Sequence, residues 1–222
     1  MRGQLRVRLG EAAKTGEQTE LSGTYLVLLI VATMIAGIGV LLDQPILIVG
    51  AMVVGPEFGP LAALCVALLR RRLGVIGRSV QALSVGFLTA MVATVLSTWA
   101  LTAVGLVNRE MLLADRPLTD FIWRPDALSW VVGLLAGVAG MLSLTSKKSG
   151  SLVGVLISVT TVPAAANVAV AAAYGVWHEA AGSALQLVIN LCAIVLAGLL
   201  TLVVQQVSWW NVARRSRRPA AG

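Results

Sequence analysis

The stretch Gly50-Ala-Met-Val-Val-Gly-Pro-Glu-Phe-Gly-Pro60 decides how this chain folds, because it places helix-breaking residues and one acid inside an apolar run. Proline has no backbone N–H and clashes with the carbonyl four residues earlier, so it tends to interrupt a helix. The surrounding apolar run covers 46–69, which is long enough for one helix to cross a bilayer. The sequence therefore predicts a membrane-spanning helix that is broken near its middle, with Glu57 at the break.

The composition of the whole chain is that of a helical membrane protein. Of its 222 residues, 58% are hydrophobic and only 12% are charged, which is far from the usual composition of soluble domains. Uncharged apolar windows of about 20 residues, the length of one transmembrane helix, recur along the chain. They predict an all-α, polytopic fold with six transmembrane helices, at 24–42, 46–69, 79–107, 127–145, 152–175 and 182–208.

The positive charges indicate how these helices are oriented. Fourteen of the seventeen Lys and Arg residues fall on one side of the predicted bilayer, at 2–14, 70–78, 147–148 and 214–218. Under the positive-inside rule this side is cytoplasmic, so we expect a prokaryotic plasma-membrane protein with both termini in the cytoplasm. The basic segments favour contact with anionic lipid at the cytoplasmic face, and no nucleic-acid site is expected.

The predicted helices divide into two halves of three. We expect a cytoplasmic N-terminal tail, one transmembrane domain and a basic cytoplasmic tail, at 1–22, 23–208 and 209–222. Within the domain, repeat one covers about 23–107 and repeat two about 127–208, joined by an outer loop at 108–126. Because each half has an odd number of crossings, the second half would be inverted relative to the first.

Each predicted half has proline in its middle helix, and Pro163 is the proline of the fifth helix. In transporters, paired Gly/Pro breaks in corresponding helices of inverted halves indicate the substrate site. We therefore expect a 3+3 inverted repeat in which the second and fifth helices are both broken and meet near mid-membrane.

Glu57 is the ionisable residue that the prediction places deep in the membrane. Its burial would cost on the order of 2–3 kcal/mol, so it should face the bundle interior and have a partner. No Lys or Arg lies in a predicted span, which leaves a proton, a bound cation, or hydroxyl and amide groups as that partner. The candidate pathway residues are Gly55, Pro56, Glu57, Gly59, Pro60, Thr160, Thr161, Pro163, Asn167, Gln186 and Asn190. For Glu57 the alternative is a neutral structural acid, and for the other polar side chains it is ordinary interhelical hydrogen bonding.

Three segments carry a resemblance to a known family: GAMVVGPEFGPLAAL (50–64), VGVLISVTTVPAAANVAVA (153–171) and GSALQLVINLCAIVLAG (182–198). The chain resembles the bacterial and archaeal membrane family catalogued as domain of unknown function 389, over about residues 22–206. The most specific mark is the Gly-Pro pair that is repeated at 55–56 and 59–60. The resemblance implies a hydrophobic membrane protein without an established substrate. Family members often have an apolar residue between the two pairs, so a role for Glu57 is argued from its chemistry alone.

Two functions are compatible with this pattern. One is a membrane transporter or permeation pathway for a small solute or ion, coupled to a proton or a cation through Glu57. The alternative is a non-transporting membrane scaffold or regulatory subunit. The small residues of Gly133-Leu-Leu-Ala-Gly137 predict close helix packing and leave room for a homo-oligomer.

An enzyme is not expected. The chain has no H-E-x-x-H, no paired intramembrane aspartates, no Gly-x-Ser-x-Gly and no phosphate-binding loop. Its one histidine, His178, falls in a predicted outer turn beside Glu179, where a surface role is expected. We also expect no cofactor and no metal site. The outer loop 108–126 mixes acids, arginines and aromatic residues, as an interfacial segment or a lid does.

Overall fold

The structure, a computed structural model, describes residues 21–124, 126–145 and 151–215. Side chains are described for these residues except 144–145, 151–160 and 209–215. Most of the predicted N-terminal tail and the end of the predicted C-terminal tail, 1–20 and 216–222, lie outside the described residues, as do Lys147 and Lys148.

All regular structure in the described part of the chain is helical, as predicted. The elements are α1 (Gly23–Leu41), α2 (Pro45–Val54), α3 (Phe58–Leu69), α4 (Leu73–Ala103), α5 (Arg109–Leu113), a 3-10 turn (Asp120–Ile122), α6 (Ala127–Thr145), α7 (Ser151–Ala173) and α8 (Trp177–Arg215). Helix α8 begins before the predicted start at 182 and continues past the predicted end at 208. It can continue because residues 209–215 include no proline or glycine.

The length and composition of these helices define a membrane-embedded protein. Among the described residues, α1, α4 and the segment Trp177–Ser208 of α8 are each long and apolar enough to cross a membrane. Helices α2 and α3 pass the same test together, but they are bent by 57° at their break and form a broken span or a re-entrant loop. The described apolar parts of α6 and α7 are shorter. The structure thus describes three candidate spans, or four if the bent pair is one span.

Helix α7 lies in the middle of the bundle. It packs against α1, α2, α4, α6 and α8, and its residues from Thr161 to Asn167 are all buried. Small side chains allow its neighbours to approach closely. At Gly37 of α1, for example, a Cβ atom would lie 3.1 Å from a methyl group of Val170 and 3.2 Å from one of Thr94.

The small-residue pattern on α6 serves packing within the chain. A Cβ atom at Gly133 would lie 2.8 Å from the Cβ of Ala193, and one at Gly137 would lie 2.5 Å from the carbonyl oxygen of Ile194. Helices α6 and α8 therefore make a close contact that larger side chains would force apart. The pattern is explained without a second copy of the chain.

The prediction of a break in the fifth helix is wrong. Pro163 lies inside α7, which is continuous from Ser151 to Ala173. One proline removes one backbone hydrogen bond, and membrane helices tolerate this where neighbouring groups enclose the site. Pro163 is buried and is followed by three alanines, which are the strongest helix formers.

Candidate functional site

The break between α2 and α3 is built by glycine and proline. Gly55 ends α2 with extended backbone angles, φ −61° and ψ 124°, which are the angles favoured for a residue before proline. Glu57 then precedes the first residue of α3. Pro60 lies in the first turn of α3, where its missing N–H would have had no partner within the helix. Both prolines of the stretch therefore fit the bend.

Glu57 lies at this break and is completely buried, with 0% of its surface exposed. The hydroxyl of Thr161 on α7 donates a hydrogen bond to Glu57 Oε1 at 3.1 Å. A Cβ atom at Gly55 would lie 2.5 Å from Glu57 Oε2 and 3.1 Å from a methyl group of Val162. The break therefore contacts the part of α7 that contains Pro163, although α7 itself is unbroken there.

One partner that the structure identifies for this acid is the neutral hydroxyl of Thr161. A threonine hydroxyl can donate to a carboxylate and can accept from a protonated carboxylic acid. The Glu57–Thr161 contact can therefore persist when the acid gains or loses a proton. Glu57 also lies at the N-terminus of α3, and a helix N-terminus favours negative charge nearby.

A second buried acid lies nearer the helix ends that are covered by the predicted outer loop, 108–126. Glu179, in the first turn of α8, is 6% exposed. Arg116 of the loop 108–126 donates from Nη2 to Glu179 Oε1 at 2.5 Å. Asn167 of α7 donates from Nδ2 to the same oxygen at 3.0 Å and to the hydroxyl of Ser183 at 2.7 Å. These four residues, Arg116, Asn167, Glu179 and Ser183, form the outer polar cluster.

One face of α8 leads from this cluster towards Glu57. Between residues 179 and 190 its buried polar residues are Glu179, Ser183, Gln186 and Asn190, and their spacing of four, three and four residues places them on one side of a helix. Helices α7 and α8 form a hairpin, and Asn167 of α7 contacts Ser183 of α8. Both helices rise by the same distance per residue, so the residue six positions before Asn167 on α7 is level with about residue 189 of α8. Thr161 is that residue, so Asn190 lies at the depth of the Glu57–Thr161 contact. We call this set of residues on α8 the polar face.

The structure brings some predicted pathway residues together and separates others. Gly55, Glu57 and Thr161 meet at the break, whereas Asn167 belongs to the outer polar cluster. Gln186 and Asn190 are buried on the polar face. The remaining predicted residues within the described side chains, Pro56, Gly59, Pro60 and Pro163, shape the backbone near the break. The side chain of Thr160 lies outside the described residues.

Sequence reasoning missed Arg116, Glu179 and Ser183. The predicted sixth helix begins at 182, which places Glu179 in a turn and outside the helical spacing that relates it to Gln186 and Asn190. That spacing is the signal that could have found it. The partner of a loop arginine cannot be derived from sequence spacing, because the loop backbone is irregular.

The outer loop is fastened over the ends of the helices by several polar contacts. The hydroxyl of Thr119 donates to Asp43 Oδ1 at 2.9 Å, in the turn between α1 and α2. Trp123 donates from its indole nitrogen to Asp120 at 2.7 Å. His178 is exposed, as predicted, and its ring packs edge-on against Trp123 with 5.6 Å between ring centroids. The loop is therefore a packed cover rather than a free segment. Within the described residues, no group of three His, Cys, Asp or Glu side chains could hold a metal ion.

Fold and site together define a helical membrane-embedded protein with a broken helix around a buried acid. The chain belongs to the family described as domain of unknown function (DUF389), whose model matches residues 52–196. An uncharacterised protein of Methanocaldococcus jannaschii is similar to it, with 25% identity over 194 residues. The match covers 86% of this chain and 58% of that relative, so the chain spans little more than half of the relative's length. No solved structure matches the chain.

Proposed function

We propose that this chain is a membrane transporter or permeation pathway for a small solute or ion, coupled to a proton or a cation through Glu57. The observation that carries the proposal is a fully buried acid at a backbone break in the middle of an apolar segment. An acid at that depth is costly to keep, and acids inside membrane segments characteristically mark ion or substrate pathways. The match to the family leaves the function open.

The broken helix supports this proposal through its backbone. The end of α2 and the beginning of α3 each leave carbonyl or N–H groups without intrahelical partners. In hydrocarbon such groups are costly unless protein, a cavity or a ligand supplies a partner. In secondary transporters, discontinuous helices of this kind place their free backbone groups around the substrate or the coupling ion.

The proposed arrangement in the membrane is six spans in two inverted halves of three. Its support is the packing: α1 contacts α2 and α4 in the first half, and α6 contacts α7 and α8 in the second. The two halves meet where the broken helix contacts α7 at Thr161 and Val162. Cysteine labelling of the short loops from each side of the membrane tests the orientation.

Both termini are proposed to be cytoplasmic, in a prokaryotic plasma membrane, with anionic lipid at that face. The loop between α3 and α4 has three consecutive arginines, of which Arg71 and Arg72 are exposed. Burial and the neighbouring charge of Arg72 lower the pKa of Arg70. An anionic lipid headgroup beside this loop would relieve the repulsion between these arginines.

The test is flux through the purified protein in liposomes. We expect wild-type protein to move a proton, a cation or a small solute down an imposed gradient faster than protein-free liposomes do. Glu57→Gln should abolish the movement or its coupling, because the amide cannot exchange a proton or neutralise a cation. The matched control is Glu110→Gln, which changes an exposed acid of α5 and should leave the flux unchanged. Flux equal to that of protein-free liposomes under every imposed gradient would contradict the proposal.

The alternative function is a non-transporting scaffold or regulatory subunit. The close packing around Glu57 favours it, since Gly55 and Val162 leave little space beside the carboxyl group. In that case Glu57 would be a neutral structural acid, and glutamine would replace it as an isostere. Wild-type protein would then give no flux, and Glu57→Gln would leave the unfolding temperature unchanged.

A further inference from the structure

Arg116 is the point at which the outer loop enters the protein interior. Only 4% of the residue is exposed, although it lies in the loop that covers the outer ends of the helices. Its guanidinium reaches Glu179, and Glu179 in turn is bound by Asn167. The Arg116–Glu179 ion pair therefore lies between the outer surface and the remaining residues of the polar face.

In this ion pair, the arginine has fewer hydrogen-bond partners than its guanidinium group can use. Of the three guanidinium nitrogens, Nη2 binds Glu179, whereas Nε and Nη1 are buried and have no hydrogen-bond partner within the described part of the chain. Buried donors without partners are destabilising, and a buried ion pair often gives little net stability. In water the same guanidinium would satisfy all its N–H groups. The contact with Glu179 is therefore the hydrogen bond that the described residues provide to this guanidinium.

The residues beneath the ion pair are also incompletely bonded. Asn167 Oδ1 and Gln186 Oε1 are buried, and neither has a hydrogen-bond partner among the described side chains and backbone. Buried amide oxygens normally have a partner. Water that entered from the outer side would supply one to each, and the polar face continues from there to Asn190, at the depth of Glu57.

The other charged or titratable groups near the outer ends of α7 and α8 have partners or positions elsewhere. Asp120 binds Arg124 and Trp123, and Asp126 binds Ser129. His178 is exposed and packs on Trp123, and the Tyr174 hydroxyl bonds to Thr102. Among the described contacts, Arg116 is the cation that pairs with Glu179.

We propose that Glu179 is a second proton-binding residue of the pathway and that Arg116 is its gate. A proton from the outer side binds the Glu179 carboxylate, which becomes a neutral acid and no longer holds the guanidinium. Arg116 then leaves for solvent and opens the polar face to the outer side; loss of the proton restores the ion pair. This inference rests on the proposed function, because the polar face leads to Glu57, and it names the proton as the coupling ion.

The gate is tested without any transport measurement, by labelling a cysteine placed beneath it. Ser183→Cys, in a background with Cys65→Ala and Cys192→Ala, puts a thiol at a fully buried position of the outer polar cluster. The protein in nanodiscs is treated with a charged, membrane-impermeant methanethiosulfonate. Leu118→Cys, at an exposed loop position, serves as the reference at every pH, so that the ionisation of an accessible thiol is divided out of the ratio of rates.

Opening the gate should expose the thiol introduced by Ser183→Cys. Arg116→Ala and Glu179→Gln, which mimics the protonated acid, should each raise the labelling rate of this thiol about tenfold or more, as expected when a minor open conformer of 0.1–10% becomes dominant. Arg116→Lys keeps the charge and should stay closed. Arg109→Ala, which removes another arginine of the same loop, should also stay closed. In the parent protein the ratio of the two labelling rates should rise as the pH falls, because the proposed gate opens on protonation, and Glu179→Gln should remove this dependence.

The outcomes separate this inference from the proposed function. Equal labelling in the parent, Arg116→Ala and Glu179→Gln proteins would overturn the gate, as would a pH dependence that persists in Glu179→Gln. If Arg116→Ala does not fold, the isosteric Glu179→Gln decides. Labelling as expected from a protein without flux would leave the gate standing and refute transport. Flux from a protein with unchanged labelling would leave transport standing and refute the gate.

Discussion

The two central apolar segments of this protein each contain proline near their middle, yet only one of them is broken. Helices α2 and α3 meet at an angle of 57° around Pro56, whereas α7 continues through Pro163. The two segments touch each other through Gly55 and Val162. They therefore share one environment and differ in their local sequence.

The difference between Pro56 and Pro163 shows that proline alone does not break a helix in this protein. Pro56 follows a glycine, which leaves a helical conformation at little cost, and a second Gly-Pro pair follows four residues later. Pro163 is preceded by valine and followed by alanines. The acid of the site lies on the irregular segment, and its hydroxyl partner Thr161 lies on the continuous one. Helix α7 therefore positions the Thr161 hydroxyl next to Glu57, whose own segment has an irregular backbone.

The largest effect on stability is expected from a substitution that fills the space at the break between α2 and α3. Gly55→Val should lower the free energy of unfolding by about 3 kcal/mol, because its side chain would overlap the Glu57 carboxyl group and Val162. Reversible unfolding in mixed micelles measures this change. The matched control is Gly50→Val on α2, where a Cβ atom would meet nothing within 4 Å; its effect should be within about 0.5 kcal/mol. Equal losses at the two positions would show that the break is not tightly packed against α7.

A smaller effect is expected from removing the hydroxyl partner of the acid. Thr161→Val keeps the shape of the side chain but removes the hydrogen bond to Glu57, so the unfolding free energy should fall by about 2 kcal/mol. Thr201→Val is the control, since the Thr201 hydroxyl donates to the carbonyl of Ala197 within α8; its loss should stay below about 1 kcal/mol. If Thr201→Val lowered the free energy of unfolding as much as Thr161→Val, the Glu57–Thr161 hydrogen bond would stabilise the protein no more than a hydrogen bond within one helix.

The smallest effect is expected at the proline of the continuous helix. Pro163→Ala restores a backbone N–H inside α7 and removes little volume, so stability should change by less than about 1 kcal/mol, with a gain favoured. Pro60→Ala in the first turn of α3 gains no intrahelical hydrogen bond and should lose about 0.5 kcal/mol through the freer unfolded chain. Thermal unfolding of both variants in nanodiscs measures the difference. A loss at Pro163→Ala greater than that at Thr161→Val would mean that this proline sets the packing of α7.

Much of the fold follows from the sequence because hydrophobic length is a strong signal in membrane proteins. Each predicted span corresponds to an observed helix or, at 46–69, to the bent pair α2 and α3. Helix α4 covers 73–103 rather than the predicted 79–107, and the bend at Gly55-Pro56 lies where the sequence places it. The contact between Glu57 and Thr161 could also be predicted, because polar groups in the middle of a membrane need partners within the protein. In the first two cases the constraint acts on the chain locally, and in the third it is the shared depth of two polar residues that are 104 positions apart.

The errors in the prediction concern features that the spacing of residues along the chain does not reveal. A prediction that considers proline alone misses that Pro163 is preceded by valine and followed by alanines, which favour a continuous α7. Arg116 reaches Glu179 across 63 residues, through a loop whose path has no sequence period. The predicted start of α8 was late by somewhat more than one turn, and this shift concealed the second buried acid.

The most direct test of the central claim is whether the carboxyl group of Glu57 can be reached by an ion. Infrared difference spectroscopy of the protein in a lipid film records carboxyl bands while the pH or the cation of the perfusing buffer is changed. We expect a carboxyl band that responds to the exchange in wild-type protein and in Glu110→Gln, and that is missing in Glu57→Gln. Wild-type and Glu57→Gln spectra that are identical under every exchange would contradict the account, because Glu57 would then be sealed from both sides of the membrane.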